Sequence, residues 1–181
     1  MKTKTISTRS LVIMAMFAAV LCVSAYISIP LPNGSHITAL NFIVTIIALV
    51  FPLEQSALIL IIWTLLGLVG VPVFIGGNAG AGYLFGPLGG FSFAFILIAI
   101  LVPLVRGQKY NRIMYTIVAI ASAFLVDLVG SLWLMVAADM TLKAALLAGF
   151  APFIVLDIVK AVIAAQIAPQ FKKIFIGEYF L

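Results

Sequence analysis

The feature that most constrains this chain is a long uncharged run near its N-terminus. No Asp, Glu, Lys or Arg occurs between Ser10 and Leu53. About 20 consecutive apolar residues suffice for a helix that crosses the hydrocarbon core of a bilayer, so the run is long enough for two. Across all 181 residues 8% are charged and 65% are apolar, whereas a soluble domain carries roughly 25% charged residues. The composition therefore excludes an ordinary soluble fold and predicts an integral membrane protein.

Turn-forming residues divide the chain into six predicted transmembrane helices. The first uncharged stretch is longer than the apolar region of about 7–15 residues in a signal peptide. It is therefore interpreted as the first transmembrane helix and not as a signal peptide. Pro30, Pro32, Asn33 and Gly34 end it with turn chemistry. The predicted helices lie at about 11–29, 37–51, 55–71, 89–105, 113–137 and 149–168. The fold class is therefore all-α, a six-helix transmembrane bundle without strands, in a single domain over 1–181.

Most basic side chains fall at one end of this predicted bundle. Six helices place both termini on one side, and Lys143 is the basic residue that falls in a loop on the other side. The eight on the terminal side are Lys2, Lys4, Arg9, Arg106, Lys109, Arg112, Lys172 and Lys173. Basic loops favour the cytoplasm, so both termini are predicted to be cytoplasmic, in the plasma membrane. Topology thus accounts for the net charge of +5, and no nucleic-acid partner is predicted.

Three ionisable residues fall inside predicted helices. Asp157 and Lys160 share one helix face through their i, i+3 spacing, and Asp157 is expected roughly 12 Å below the helix end at Gly149. Asp127 lies about 10 residues, roughly 15 Å, from the outer end of helix 5. Intramembrane ionisable residues are usually functional, which favours a shared polar cavity. The alternatives are an internal ion pair and a structural carboxylate bonded to neighbouring hydroxyls, for example Ser122, Ser131 or Thr116.

An irregular stretch between helices 3 and 4, residues 70–91, contains eight of the fourteen glycines. Non-helical backbone at membrane depth occurs where it is buried in protein or lines a cavity, so this Gly-rich loop is predicted to be an outward-facing pocket wall. Asn78 is its amide side chain, which both donates and accepts hydrogen bonds. Helix packing through Gly82, Gly86 and Gly90 is the alternative.

Helix 1 carries a stripe of small residues at helical spacing. Its members are Ala15, Ala18, Ala19, Cys22 and Ala25. Such a smooth face lets another helix approach closely. The other helix could belong to a partner or to this same chain, and the spacing does not separate the two.

The residue types that catalysis and metal binding need are scarce. The chain has one cysteine, Cys22, and one histidine, His36. It carries no nucleotide-binding motif, no His-Glu-x-x-His and no Ser/His/Asp set. The sequence therefore predicts no enzyme activity, no resident cofactor and no metal site.

Three motifs resemble those of one known family. Gly70-Val71-Pro72-Val73-Phe74 through Gly86-Pro87-Leu88-Gly89-Gly90-Phe91 resembles the signature of the BioY family, the biotin-specific S components of energy-coupling factor transporters. Asp157-x-x-Lys160 resembles the family's Asp-x-x-Lys. Ala15-Met16-Phe17-Ala18-Ala19 resembles the Ala-x-x-x-Ala motif by which S components dock on a coupling subunit.

The resemblance implies a high-affinity biotin site on the outer side, made by the Gly-rich loop and the last helix. It implies ligand contacts from Asn78, Asp157 and Lys160, with Lys160 on either the ureido ring or the carboxylate. Phe74 and Tyr83 are the candidate aromatic walls. Backbone N–H groups of the loop, Gly80 among them, are candidates for the carboxylate because no Lys or Arg occurs between Val71 and Val105. Asp127 completes the predicted site.

The implied partners are a transmembrane coupling subunit, docked at Ala15, Ala18 and Ala19, and two separate ATPase subunits that hydrolyse ATP. Two other functions stay open at this point. One is an S component for a different vitamin. The other is a stand-alone channel or proton-coupled carrier that uses Asp127, Asp157 and Lys160 as a relay.

Overall fold

The computed structural model describes residues 7–31 and 36–176. In these ranges the chain is mostly helical, with eight α-helices and one two-stranded antiparallel ribbon. The helices are α1 Thr8–Ser24, α2 Leu40–Val50, α3 Leu53–Leu68, α4 Ala81–Leu84, α5 Gly89–Val105, α6 Arg112–Ala137, α7 Leu142–Gly149 and α8 Ile154–Phe171. The strands are β1 Ser28–Pro30 and β2 His36–Thr38. The basic residues Lys2 and Lys4, used above for orientation, lie outside the described residues.

The six longest helices follow the order of the six predicted ones, and α5 has the predicted bounds of 89–105. Polar N-cap residues explain where several helices begin. The Asn111 side chain accepts hydrogen bonds from the backbone N–H groups of Ile113 and Met114 at 3.0 and 3.1 Å, which begins α6. The Thr141 hydroxyl does the same for α7. These side chains satisfy N–H groups that have no partner within the helix.

The prediction of no strands was wrong around the first turn. Helix α1 ends at Ser24, and residues predicted as its last part form β1, which pairs antiparallel with β2. Ile29 faces Ile37 in the register, and β-branched residues of this kind favour strands. Pro30 cannot continue a helix, because it lacks the N–H and its ring clashes with the preceding turn. The predicted turn residues Pro32, Asn33 and Gly34 lie outside the described residues.

The prediction of one continuous helix over 149–168 was also wrong. Helix α7 ends at Gly149 and α8 begins at Ile154. Pro152 lies in the break and cannot donate the hydrogen bond that a continuous helix would need. Asp157 therefore lies in the first turn of α8, and the depth measured from Gly149 does not apply. Lys143 lies in α7 rather than in a loop.

Helix α2 lies at the centre of the fold. It packs against α1, α5 and α8, and it is buried without interruption from Val44 to Val50. Helix α6 contacts α5, α7 and α8. A helix that is apolar all round is typical of a core position. Helix α2 therefore forms the centre against which α1, α5 and α8 pack, next to the candidate site described below.

Large apolar side chains cover the outer faces of the bundle. Those more than half exposed include Val23, Leu65, Leu104, Ile113, Val136 and Val155. Within the described residues two helices are long and apolar enough to cross a membrane, Arg112–Ala137 and Ile154–Phe175. The other long helices have 11 to 17 residues.

Close contacts between α5 and α6 depend on glycine. A Cβ atom at Gly90 would lie 2.2 Å from Cβ of Trp133, and one at Gly130 would lie 2.3 Å from the Phe91 ring. Gly82 has open space around it instead. Helix packing therefore explains Gly90 but does not explain Gly82.

Candidate functional site

A cavity lies between β2, α2, α5, α6 and the start of α8. It contains about 440 Å³ of space between atoms, part of it open to solvent. Its lining combines five polar side chains, which come from β2, α2, α6 and α8, with aromatic and aliphatic side chains. The lining residues are His36, Thr38, Asn41, Ile75, Leu88, Phe91, Phe95, Val126, Asp127, Phe153 and Asp157. Apolar walls with a few converging polar groups are typical of small-molecule pockets.

Of the predicted pair, Asp157 lines this cavity, and Lys160 is bonded to Asp157 without being a lining residue itself. The Lys160 ammonium donates to Asp157 Oδ1 at 2.8 Å, to the carbonyl oxygen of Thr38 at 2.9 Å and to Asn41 Oδ1 at 3.4 Å. An ammonium group has three N–H donors, so all three are engaged. Asp157 is 6% exposed. Lys160 thus holds α8 to β2 and α2, and it keeps the Asp157 carboxylate at the wall of the cavity.

Asp127 lies on the same cavity as Asp157, as the sequence predicts. The residue is 1% exposed, and its Oδ2 is buried without a hydrogen-bond partner among the described residues. Both Asp127 and Asp157 line the cavity. A buried polar group without a partner is unfavourable by about 1–3 kcal/mol. Asp127 Oδ2 is therefore available to a ligand or to the neighbouring Asp157 carboxyl group.

The hydroxyl groups proposed as structural partners of Asp127 bond elsewhere. Ser131 Oγ donates to the backbone carbonyl of Asp127 at 2.7 Å, and Ser122 Oγ donates to that of Ala119 at 2.7 Å. Thr116 Oγ1 donates to the carbonyl of Arg112. These three hydroxyls donate to backbone carbonyls and not to the Asp127 carboxylate.

Asn78 and Gly80 lie in the Gly-rich loop beside the cavity and are not among its lining residues. The Asn78 side chain is exposed, and its Nδ2 donates to the Ile75 carbonyl at 2.8 Å, closing a tight turn. Gly76 in this turn has a φ of +73°, a conformation that L-residues with side chains rarely adopt. The Gly80 backbone N–H donates to the Gly67 carbonyl at 2.7 Å. Through this turn the loop presents Ile75 to the cavity.

Phe74 and Tyr83 form an aromatic group within the same loop. Their rings stack at 5.2 Å with an interplanar angle of 17°, and Phe74 also meets Trp63 edge-on at 5.2 Å. Phe74 is fully buried. The Tyr83 hydroxyl is buried, and burial raises the pKa of Tyr83, an effect that a hydrogen bond with the Ile75 backbone partly offsets. Neither ring is a lining residue of the cavity. The two rings pack against each other and against Trp63 within the fold.

Several cavity residues were missed by sequence reasoning. Asn41 is a polar residue inside an otherwise apolar run and could have been singled out on that ground. His36 lies on β2, where its Nδ1 and Ser28 Oγ are 3.3 Å apart. Phe95 and Phe153 carried no distinguishing signal, because the chain has 14 phenylalanines. Phe91, in contrast, belongs to the Gly-rich stretch that was predicted to be a pocket wall, and it lines the cavity.

The small-residue stripe of helix 1 divides into two parts in the structure. Ala15 and Ala19 are exposed and Ala18 is partly buried, whereas Ala25 is fully buried. Internal packing therefore explains the end of the stripe. The exposed part is free for contact with another helix.

Comparisons of the sequence and of the fold with known proteins indicate similarity to the same group of proteins. The family model described as the BioY family matches residues 1–177. A relative named biotin transporter BioY2, from Lactococcus lactis subsp. cremoris, is 34% identical and covers 85% of each chain. Biotin transporter BioY from Thermotoga maritima is 34% identical over 92% of this chain and 97% of its own. A crystal structure of the S-component for biotin from an ECF-type ABC transporter superposes with a TM-score of 0.81, at 24% identity, over 96% of this chain and 95% of that one.

Proposed function

This chain belongs to the BioY family, and on that premise we propose that it binds biotin with high affinity as the membrane-embedded S component of an energy-coupling factor transporter. The relatives described above are transporters, so its activity is uptake and not catalysis. Biotin is the substrate, and ATP is hydrolysed by other subunits.

The cavity between β2, α2, α5, α6 and α8 carries this proposal. Biotin joins an apolar bicycle and tail to a ureido group with two N–H donors and one carbonyl acceptor. Asp127 Oδ2 has no hydrogen-bond partner among the described residues, and Asp157 lies on the same wall. Carboxylate oxygens accept N–H groups. Phe91 and Phe95 offer the apolar surface that the bicycle needs.

Lys160 has a positioning role in this proposal. Its two shorter hydrogen bonds, to Asp157 and Thr38, fix the carboxylate, whereas the 3.4 Å contact to Asn41 is the weakest of the three. A ligand oxygen that replaced the Asn41 contact would receive one N–H from Lys160. Asn41 Oδ1 would keep its hydrogen bond from the Phe42 backbone N–H at 3.0 Å.

The Gly-rich loop is proposed to cover the ligand from the outer side. Ile75 already lines the cavity, and Asn78 lies three residues further along the same turn. We propose contacts from Asn78, Tyr83 and Phe74 once the loop closes over biotin, with the Gly80 backbone near the carboxylate. The positive φ values at several loop glycines leave the backbone free to approach a ligand closely.

The membrane arrangement follows from the same proposal. The six longest helices cross the plasma membrane as one domain over 1–181, with the short α4 and α7 at the outer side. Both termini are cytoplasmic. Exposed apolar side chains on the outer faces, such as Leu104 and Ile113, suit contact with lipid.

The proposed partners are the transmembrane coupling subunit and two ATPase subunits of the transporter module. The exposed Ala15 and Ala19, with Ala18 beside them, form the proposed docking face for the coupling subunit. Alanines allow close helix approach in a membrane, where packing rather than hydrophobic burial drives association.

Isothermal titration of the purified full chain with biotin tests the proposal. Binding that is lost in the combined variant Asp157→Asn, Lys160→Ala supports it. Asp139→Asn and Lys143→Ala are matched controls, because both side chains are exposed and lie away from the cavity. Absence of biotin binding, or equal binding by the combined variant, would reject the assignment.

A vitamin panel in the same titration separates biotin from other vitamins. Uptake by this chain alone in liposomes under a pH gradient would instead favour the proton-coupled carrier.

A further inference from the structure

His36 lies at the edge of the cavity where β2 meets the Gly-rich loop. It is the one histidine of the chain, and it lines the cavity, as Ile75 of the loop does. Its ring packs against the backbone of Gly76, since a Cβ atom there would lie 2.8 Å from Cε1 and 3.1 Å from Nε2 of His36. Gly76 in turn donates its backbone N–H to the Ala25 carbonyl at 3.1 Å. The end of α1, the ribbon and the loop therefore hold the imidazole in one place.

The contacts of His36 leave one ring nitrogen for a ligand. Nδ1 is 3.3 Å from Ser28 Oγ on the paired strand, and Nε2 forms no hydrogen bond with the residues that the structure describes. When the Ser28 hydroxyl donates to Nδ1, the proton of a neutral imidazole lies on Nε2, and in the protonated ring both nitrogens carry a proton. Nε2 is a donor in both forms. The side chain is half-buried, so a ligand in the cavity can reach it.

His36 is, among the described lining residues of this cavity, the side chain that can carry a positive charge. The other polar lining side chains are two carboxyl groups, one amide and one hydroxyl. Lys160 lies outside the lining, and its shortest hydrogen bond, at 2.8 Å, is to Asp157. Ionised carboxyl groups at Asp127 and Asp157 would repel an anionic ligand group, and a buried charge needs a hydrogen-bonding or charged partner. An anionic group of a ligand therefore finds its complement at His36.

We propose that His36 binds the carboxylate of biotin, with Nε2–H donating to a carboxylate oxygen; this rests on the proposed function. Biotin carries its carboxylate at the end of the tail, away from the ureido ring. With the ureido ring at the two carboxyl groups of the cavity, the tail ends at the ribbon and the loop. Ser28 and Gly76 have positioning roles, because they orient the imidazole. His36 thereby selects the free acid over derivatives in which the carboxylate is replaced by a neutral amide.

Isothermal titration of the purified full chain with biotin and with biotinamide tests the proposal. The two ligands share the bicycle and the tail and differ in the charge of the terminal group. We expect wild type to prefer biotin. His36→Phe keeps a flat ring against Gly76 but removes both nitrogens, and should lower biotin affinity about tenfold, as for a lost hydrogen bond to a charged group. Biotinamide is the matched control, and its affinity should stay unchanged in this variant.

A conservative variant separates the hydrogen bond from the charge. His36→Gln keeps a neutral N–H donor at the length of the imidazole, so it should lose less biotin affinity than His36→Phe. Because a charge-assisted hydrogen bond is roughly twice as strong as a neutral one, it should not recover the wild-type preference for biotin below neutral pH.

The pH dependence of the two affinities gives a second readout. Histidine changes its charge between about pH 5 and pH 8, whereas a carboxylic acid remains ionised over most of that range. The ratio of biotin to biotinamide affinity should therefore rise about fivefold from about pH 8 to about pH 6 in wild type and stay constant in His36→Phe. The other titratable side chains around the cavity, the ribbon and the loop are Asp127, Asp157, Lys160, Tyr26 and Tyr83. A ratio that still changes with pH in His36→Phe would assign the effect to one of them and overturn the proposal.

Two further results would also overturn it. Equal losses of biotin and biotinamide affinity in His36→Phe would show a residue that only shapes the edge of the cavity. Equal affinity of wild type for the two ligands would show that the carboxylate has no partner in the site. In both cases biotin binding stands and the role of His36 falls. If wild type binds neither ligand, the proposed function fails, and the role of His36 fails with it.

Discussion

The ion pair between Lys160 and Asp157 can be tested for structural and ligand-binding roles in one double-mutant cycle. Lys160→Met leaves the buried Asp157 carboxylate without its cation. Asp157→Asn leaves the ammonium with neutral acceptors. Removing one member of a buried pair costs about 3–5 kcal/mol, whereas replacing both with neutral groups is often close to neutral.

The expected magnitude follows from burial. The Lys160 side chain is 23% exposed and that of Asp157 is 7% exposed, so water screens part of the lost interaction. We expect the free energy of unfolding to fall by about 2–3 kcal/mol in Lys160→Met. For a chain of this length 1 kcal/mol corresponds to roughly 2–4 °C in Tm, which gives a fall of about 4–12 °C. The double variant Asp157→Asn, Lys160→Met should recover most of that loss.

Thermal unfolding in detergent and biotin titration are measured on the same four proteins. We expect the double variant to regain stability while its biotin affinity stays reduced about a hundredfold, as for a lost hydrogen bond to a charged group. If the stable double variant binds biotin with wild-type affinity, the ion pair has no role in ligand binding and only compensates its own two charges. Strictly additive losses of Tm would refute the energetic coupling between the two residues.

Two further variants address the remaining polar and packing features. Asp127→Asn keeps the size of the side chain but replaces an acceptor oxygen with a donor, so biotin affinity measured by titration should fall about tenfold; unchanged affinity would remove Asp127 from the site. Gly90→Ala should lower the free energy of unfolding by about 1–3 kcal/mol, as overpacking does, because its Cβ would meet Trp133 at 2.2 Å. Gly82→Ala has open space and serves as the matched control; equal destabilisation of both would contradict the packing argument.

The charged part of the site could be predicted from the sequence because charge is scarce in this chain. An i, i+3 pair shares a helix face wherever the helix begins, so the relation of Asp157 to Lys160 held although the helix bounds were wrong. Asp127 was placed at the same cavity by counting helical rise from the end of helix 5, and α6 ends at Ala137 as expected.

The apolar part of the site could be predicted only where the Gly-rich stretch supplies it, at Ile75, Leu88 and Phe91. Phe95 and Phe153 differ from the other phenylalanines only by the direction in which the packed helices turn them. The ribbon of β1 and β2 was missed because each strand has three residues, too few for an alternating pattern to stand out. The cavity edge formed by His36 and Thr38 depends on that ribbon.

The break at Pro152 makes the two carboxyl groups unequal. Asp157 lies in the first turn of α8, where the helix dipole stabilises a negative charge by about 0.3–1 kcal/mol, and Lys160 adds a cation 2.8 Å away. Asp127 lies inside α6, with one carboxylate oxygen unpartnered. The cavity wall therefore carries two carboxyl groups, and the Lys160 ammonium is bonded to one of them without lining the cavity itself. Such a wall favours the N–H groups of biotin over its carboxylate, so the ureido ring should face Asp127 and Asp157, and the carboxylate should face the loop that holds Asn78.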